Sequence, residues 1–422
     1  MATERIKAIK GTTDILPGEV ELWQRIEEVL RERAGIYGYS EIRTPIFEDT
    51  SLFARSIGED TDIVGKEMYT FHDLGNRGLT LRPEGTASVI RAFIEHSLDK
   101  KGLPQKLWYS GPMFRQERPQ KGRQRQFHQF GVEAVGSKSP MMDVEVMILF
   151  DDIAEKLGLG DRVYLLNSVG GAESRRRYRD ALVVFLTEVE EQLCEVCQRR
   201  MATNPLRVLD CKIPDCRAVI HESNSIPRTV EYLTDSDRSH YEEMMHCLIN
   251  CGIEFKEDYS LVRGLDYYTG AVFEMQYKGL GAQSAVMGGG RYDNLLKELG
   301  GPDLPAVGFA CGIERLILAM QAARTSNTGK KPVSVFLATT RPEYRMAAMK
   351  YLSALRNLGH VSEMDYLDRS MKAQMKTADR LQTRYVLIIE SSDDQVTVRD
   401  MSLSEQRTMP FEQFLKIISS EN

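Results

Sequence analysis

Five basic side chains, Arg115, Arg118, Lys121, Arg123 and Arg125, fall within eleven residues, opposed only by Glu117. Arginine presents a planar fork of donors that grips phosphate oxygens in pairs, so this density suits a polyphosphate. Phe127 closes the run, where its ring can stack on a flat base. A solvated charged hairpin accounts for the same charges taken alone. Further on, Leu261 to Glu274 (LVRGLDYYTGAVFE) sets Arg263 and the pair Tyr267–Tyr268 in an otherwise apolar stretch. Adjacent strand residues point to opposite faces, so only one of these tyrosines need line a pocket, and a core strand with polar edges fits as well. Gly288-Gly289-Gly290-Arg291-Tyr292-Asp293 admits close approach of a ligand or backbone, or makes a plain tight turn. Gly308 to Arg315 (GFACGIER) places Arg315 just inside a helix, where a surface helix start is the alternative.

Other nucleotide chemistry is disfavoured. Gly65-Lys66 and Gly329-Lys330 lack the following Ser or Thr of a Walker A loop, and neither GxGxxG nor HExxH occurs. Cys194-x-x-Cys197 is followed by Cys211 and Cys216, with four residues between the latter two. Four thiolates can hold a structural zinc, and ordinary thiols are the alternative. Cys247, Cys251 and Cys311 read as core filler.

The elements that position these residues follow from periodicity. Leu22, Ile26, Val29 and Leu30 recur at helical spacing within Glu19 to Ile36. Ile42 to Phe47 reads as extended, with Pro45 biasing Thr44. Leu107 to Arg115 and Gln126 to Val135 make a long hairpin whose loop is the basic run. Met141 to Leu157 reads as a helix. Residues 171–251 are poor in strand signals and predict a mostly helical insertion. Strand character returns from Leu261 to Phe273. Val286 to Gly290 leads to a turn and a helix near Arg291 to Leu299, then a strand over Pro305 to Gly312 and a helix over Ile313 to Ala323. The polar stretch Arg324 to Pro332 (RTSNTGKKP) predicts a linker. Beyond it, strands at Val333 to Ala338, Val361 to Asp365 and Tyr385 to Glu390 alternate with helices at Glu343 to Leu358 and Lys372 to Leu381, a small α/β domain.

A chain of 422 residues exceeds one ordinary core. Its 42% hydrophobic and 27% charged residues are those of a globular protein, with no apolar run of membrane length and no secretion signal. A cytoplasmic protein with reduced cysteines and no membrane partner is expected. A net charge of −6 argues against indiscriminate coating of nucleic acid and leaves room for local basic patches.

Taken together, these segments resemble the class II aminoacyl-tRNA synthetases and, within them, the histidine–tRNA ligase family, over nearly the whole chain. Ile9 to Gly18 (IKGTTDILPG) resembles the family's opening segment. Arg43-Thr44-Pro45 with the preceding helix resembles the first class II motif, which implies a homodimer. Met113 to Glu117 through Phe127 resembles the second motif, and Gly312 to Arg315 the third. Leu81 to Thr86 (LRPEGT) and Gln126 to Glu133 (QFHQFGVE) also match. The histidine assignment rests on Arg263 to Tyr268 and Gly288 to Asp293.

The resemblance implies an α+β catalytic domain with an antiparallel sheet (residues 1–325), interrupted by the helical insertion (171–251), and an anticodon-binding α/β domain (331–422). It implies ligation of L-histidine to tRNA(His) through a histidyl-adenylate, with ATP as substrate and Mg2+ assisting. Arg115 would hold the α-phosphate and Arg315 the γ-phosphate. Glu117 and Arg123 would help seat ATP, with Phe127 on adenine. Glu84, Thr86 and Gln129 would bind the α-amino group. Glu133 and Tyr268 would read the imidazole, with Tyr267 beside them. Arg263 would contact the α-phosphate and the attacking carboxylate, and Gln120 the tRNA acceptor end. The family does not generally need zinc, which favours ordinary thiols at the cysteine cluster. The rival is a non-catalytic histidine-binding regulatory subunit of ATP phosphoribosyltransferase. Such proteins usually lack the C-terminal domain and part of the catalytic set, both present here.

Overall fold

The computed structural model describes residues 5–57, 61, 63–120, 122–209, 211, 213–221, 226–261, 267–326, 333–391 and 393–420. The chain divides into two compact units, Met1–Asn327 and Thr328–Asn422.

The first unit is organised by an eight-stranded sheet. Its spatial order is Ser40–Glu41, Gln105–Phe114, Gln126–Val135, Ala306–Gly312, Ala285–Arg291, Ala271–Tyr277, Arg162–Ser168 and Phe255–Glu257. Six strands are antiparallel, and each outer strand joins in parallel. The helices Val20–Ile36, Pro140–Lys156 and Ile313–Ala322 pack on one face. Ile26, Leu30, Met147, Phe150 and Leu316 join Phe130 and Phe309 of the sheet in the largest core. The helix at Pro140 begins as its sequence dictates, with proline in the first turn and the Ser139 hydroxyl accepting from the Met141 N–H at 3.2 Å. The other face carries a second core, built from Val89, Ile90 and Phe93 of the helix Thr86–Glu95 together with Tyr109, Tyr267, Tyr268 and Tyr292.

Between Ser168 and Phe255 the described residues form helices and short helical turns. Tyr178, Leu182, Phe185, Val208, Cys211, Cys216 and Ile220 make a separate small core. The helix Asp235–Asn250 instead sends Tyr241, Met244 and Leu248 into the main core.

Several local expectations change in three dimensions. The strand expected from Leu261 to Phe273 begins only at Ala271. The glycines 288–290 lie inside the strand Ala285–Arg291 rather than in a turn, and the helix that follows is Leu295–Glu298. Cys311 is buried as expected, but Cys251 is exposed just past its helix.

In the second unit the sheet order is Ser362–Met364, Val335–Thr339, Tyr385–Ile389, Gln395–Asp400 and Glu405–Pro410. The first three strands are parallel and the last two antiparallel. The helices Arg345–Asn357 and Phe411–Ser419 supply Tyr351, Leu352, Phe414 and Ile418 to its core.

Candidate active site

The hairpin Gln105–Phe114/Gln126–Val135 is the spine of the site. Phe127, Gln129, Gly131 and Glu133 alternate along one strand and therefore share a face. Six residues of strand span about 20 Å, room for a nucleotide and an amino acid end to end.

At the Phe127 end lies a cavity of about 500 Å3. Arg115, Glu117, Arg123, Phe127 and Arg315, five residues expected at a nucleotide, all line it. The Arg115 guanidinium sits 5.2 Å from the centre of the Phe127 ring and donates through Nε to the Pro83 carbonyl at 2.9 Å. Arg123 pairs with Glu117 at 3.4 Å. Arg315 donates through Nε and Nη2 to the Ala285 carbonyl at 3.0 and 2.9 Å. The cationic heads are thus held by backbone and one carboxylate, preorganised to meet negative charge. Glu314, next to Arg315, accepts from the His128 N–H at 2.9 Å and meets His128 Nδ1 at 3.0 Å. That contact ties the start of the helix Ile313–Ala322 to the strand carrying Phe127.

Glu67 and Glu274 also line the cavity and were not singled out in the sequence. Glu274 sits in a strand whose neighbours Phe273 and Met275 are buried, and that break in polarity is its only signal. Glu67 is remote in sequence and carries none.

At the other end is a buried polar pocket. Glu84 closes the start of the helix Thr86–Glu95, its oxygens accepting from the N–H groups of Thr86 at 2.6 Å and Ala87 at 2.9 Å. Burial nonetheless raises its pKa. The Thr86 hydroxyl donates to Glu133 at 2.7 Å, and the Tyr292 hydroxyl donates to the other Glu133 oxygen. Gln129 accepts from the Gly85 N–H at 3.2 Å. Glu133 is 1% exposed, and loss of hydration pushes its pKa up to about 8.

Three tyrosine rings wall this pocket. Tyr267 and Tyr268 lie with centroids 4.8 Å apart, and Tyr267 meets Tyr292 at 5.4 Å. The expectation that adjacent tyrosines face opposite ways fails because residues 267–270 are not in a strand. Tyr109, also unassigned in the sequence, fills the space that side chains at Gly85 and Gly131 would occupy.

The glycines are explained by crowding. A Cβ on Gly290 would meet the Ala271 carbonyl and, at 2.8 Å, the Tyr268 ring. One on Gly308 would fall on the Glu133 carboxyl. Arg291 of the same motif is structural: it is 3% exposed, and its Nη2 and Nε reach Asp143 at 2.5 and 3.1 Å.

The structure therefore gathers the expected residues into two adjoining sets. Gln120 stands apart at the exposed hairpin tip, bonded through its backbone to Arg123. Arg263 and Lys121 lie outside the described residues.

The family model for histidyl-tRNA synthetase matches residues 11–316, and that for an anticodon binding domain matches residues 333–421. A histidine–tRNA ligase of Halothermothrix orenii is 49% identical over 404 residues, covering 95% of this chain and 96% of that relative. One from Thermotoga maritima is 47% identical over 406 residues, 95% of each. The apo histidyl-tRNA synthetase of S. aureus superposes with a TM-score of 0.83 at 37% identity, covering 98% of this chain and 100% of that one. A Bacillus halodurans protein, described as an ATP phosphoribosyltransferase regulatory subunit/histidyl-tRNA synthetase, reaches a TM-score of 0.66 at 22% identity, covering 92% and 99%; it shares the fold. With nearly three-quarters of the sequence under one family model and relatives near half identical over almost their full length, the chain belongs to the histidyl-tRNA synthetase family.

Proposed function

We propose that this chain joins L-histidine to tRNA(His) in two steps, through a histidyl-adenylate, releasing diphosphate and then AMP. The observation that carries the reading is the single strand face that runs from Phe127 in the arginine-lined cavity to Glu133 in the sealed carboxyl pocket.

ATP lies in the cavity with its base on Phe127, its α-phosphate at Arg115 and its γ-phosphate at Arg315, while Glu117 and Arg123 seat it from the hairpin. Histidine lies along the strand. Its α-amino group is held by Glu84, Thr86 and Gln129, and its imidazole by Glu133 and Tyr268, with Tyr267 behind them. Its carboxylate is already a nucleophile, so adenylation needs no general base. An oxygen of the carboxylate attacks the α-phosphorus, and the bond to the bridging oxygen of diphosphate breaks. Rate enhancement comes from alignment and from fixed charge around the phosphoryl centre. Arg263 is assigned, by family resemblance, to the α-phosphate and the attacking carboxylate. Glu67 and Glu274 are carboxylate donors of the kind Mg2+ accepts, and that ion, when bound, supplies further positive charge to the phosphates. In the second step a ribose hydroxyl at the tRNA terminus attacks the histidyl carbonyl and AMP departs, with Gln120 at the hairpin tip meeting the acceptor end. The unit beyond the linker takes the anticodon.

Selectivity rests on Glu133. An imidazole N–H adds a donor to a carboxyl that the Thr86 and Tyr292 hydroxyls already hold, whereas a side chain without that donor desolvates the remaining acceptor capacity of a buried acid with nothing in return. The active species is a cytoplasmic homodimer. Its association is supported by the first class II motif and by apolar side chains left in the open beside it, with Ile46 at 44% and Phe47 at 52% exposure.

Histidine-dependent exchange of diphosphate into ATP tests activation, and charging of a tRNA(His) transcript tests transfer. Absence of exchange by folded protein would remove the enzyme reading. Exchange without charging would confine the reading to activation.

A further inference from the structure

The small core of the inserted arm contains a cluster that none of this chemistry uses. The Sγ atoms of Cys194, Cys197, Cys211 and Cys216 all lie within 4.8 Å of one another. Cys194 and Cys211 approach to 3.9 Å, and all four residues are free thiols. A tetrahedron of thiolates around zinc at about 2.3 Å has edges of about 3.8 Å, so the cluster already has the dimensions of a ligand set.

Two separate pieces of chain supply the sulfurs. Cys194 precedes the helix Glu195–Thr203, and Cys197 sits in its first turn. Cys211 precedes the helix Pro214–His221, which carries Cys216. Cys194 stands at a helix N-terminus, whose positive end favours the thiolate form a metal needs. Cys197, Cys211 and Cys216 are buried and Cys194 is half-buried, which leaves four soft donors around one point and no open position for water or substrate.

The arm has a physical need for such a tie. Between Glu190 and His221 it is built of helices of nine and eight residues and helical turns of three and four. Helices this short do not hold themselves, and a core this small seldom suffices without a covalent or metal crosslink. A family-wide expectation of ordinary thiols does not account for four sulfurs turned inward to one point.

We propose that Cys194, Cys197, Cys211 and Cys216 form a closed, structural tetrathiolate zinc site that ties the two helical pieces of the inserted arm together. Soft sulfur ligands and tetrahedral dimensions select zinc over the hard cations suited to the nucleotide cavity.

The test uses the full chain, purified under reducing conditions from zinc-supplemented cells, with metals measured by plasma mass spectrometry. One zinc per chain is expected. The Cys211→Ser/Cys216→Ser double variant should lose it, whereas Cys247→Ser/Cys251→Ser should retain it. Stripping with a mercurial and a chelator should speed proteolysis within residues 190–221, and cobalt added to the stripped wild-type chain should give the visible bands of a tetrahedral tetrathiolate centre. That cobalt spectrum is read on the unaltered sequence and holds even if the double variant misfolds. Substoichiometric zinc in reduced wild-type protein overturns the proposal. So does equal zinc in the double variant, iron in place of zinc, or a mass deficit showing a disulfide.

Discussion

Replacing Glu133 with glutamine separates what this residue does for binding from what it costs the fold. Its carboxyl titrates near 8 in the folded chain rather than in the ordinary range near 4.5, because it is buried among Tyr292, Thr86 and Glu84. Between these values the folded chain keeps a proton that the unfolded chain has released. Folding stability therefore falls by up to about 1.4 kcal/mol per pH unit as pH rises through this window, and levels off above about pH 8. At neutral pH the accumulated cost is about 3 kcal/mol. Glutamine mimics the protonated acid, with one acceptor and one donor for the two hydroxyl partners, and carries no such cost. Ligand-free Glu133→Gln should thus match the parent near pH 5 and exceed it in stability by about 3 kcal/mol or somewhat less near neutrality, by urea denaturation across that range. The same variant cannot ionise to pair with a protonated imidazole when histidine binds, so its KM for histidine in the exchange assay should rise about ten- to a hundredfold. A stability difference that stays flat with pH, or that turns against the variant as pH rises, would refute the assignment of a buried, proton-retaining carboxyl.

Three further outcomes follow from the same geometry. Phe127→Ala should raise the KM for ATP by the equivalent of about 1–3 kcal/mol while leaving that for histidine nearly unchanged; a change in both would place the ring elsewhere than on the base. Gly308→Ala puts a methyl group on Glu133 and the Val132 carbonyl, so histidine-dependent exchange should collapse with about 1–3 kcal/mol lost in stability; wild-type exchange would show that the pocket has slack. Arg291→Ala takes the guanidinium from buried Asp143, leaving it the His240 ring at 3.2 Å, and should cost about 3–5 kcal/mol, whereas Arg291→Met with Asp143→Asn should recover most of it; equal loss in both would show that the charge pair is not the cause.

The division between what was legible in the sequence and what was not follows the range of the forces involved. The helix Val20–Ile36, the hairpin strands and the core alternation of the last unit were readable, because periodicity records which face of an element is buried. The basic run was readable, because charge density survives in one dimension, and two of its arginines, Arg115 and Arg123, line the cavity. The tyrosine pair does not alternate across two faces, because residues 267–270 are not in a strand. Glu67 gave no signal and Glu274 only a break in polarity, since each joins the cavity lining only when distant segments bring it to the arginines.

By itself, the sequence determined most of the elements and the local clustering of basic, aromatic and glycine residues, since these depend on neighbours along the chain. Only the tertiary structure decided that Tyr292 and Thr86 clasp Glu133, that Gly308 and Gly290 exist to make room for a carboxyl and a ring, and that four cysteines meet at one point. Those are contacts between residues far apart in sequence, and burial alone turns them into a raised pKa, a shaped pocket and a ligand cage.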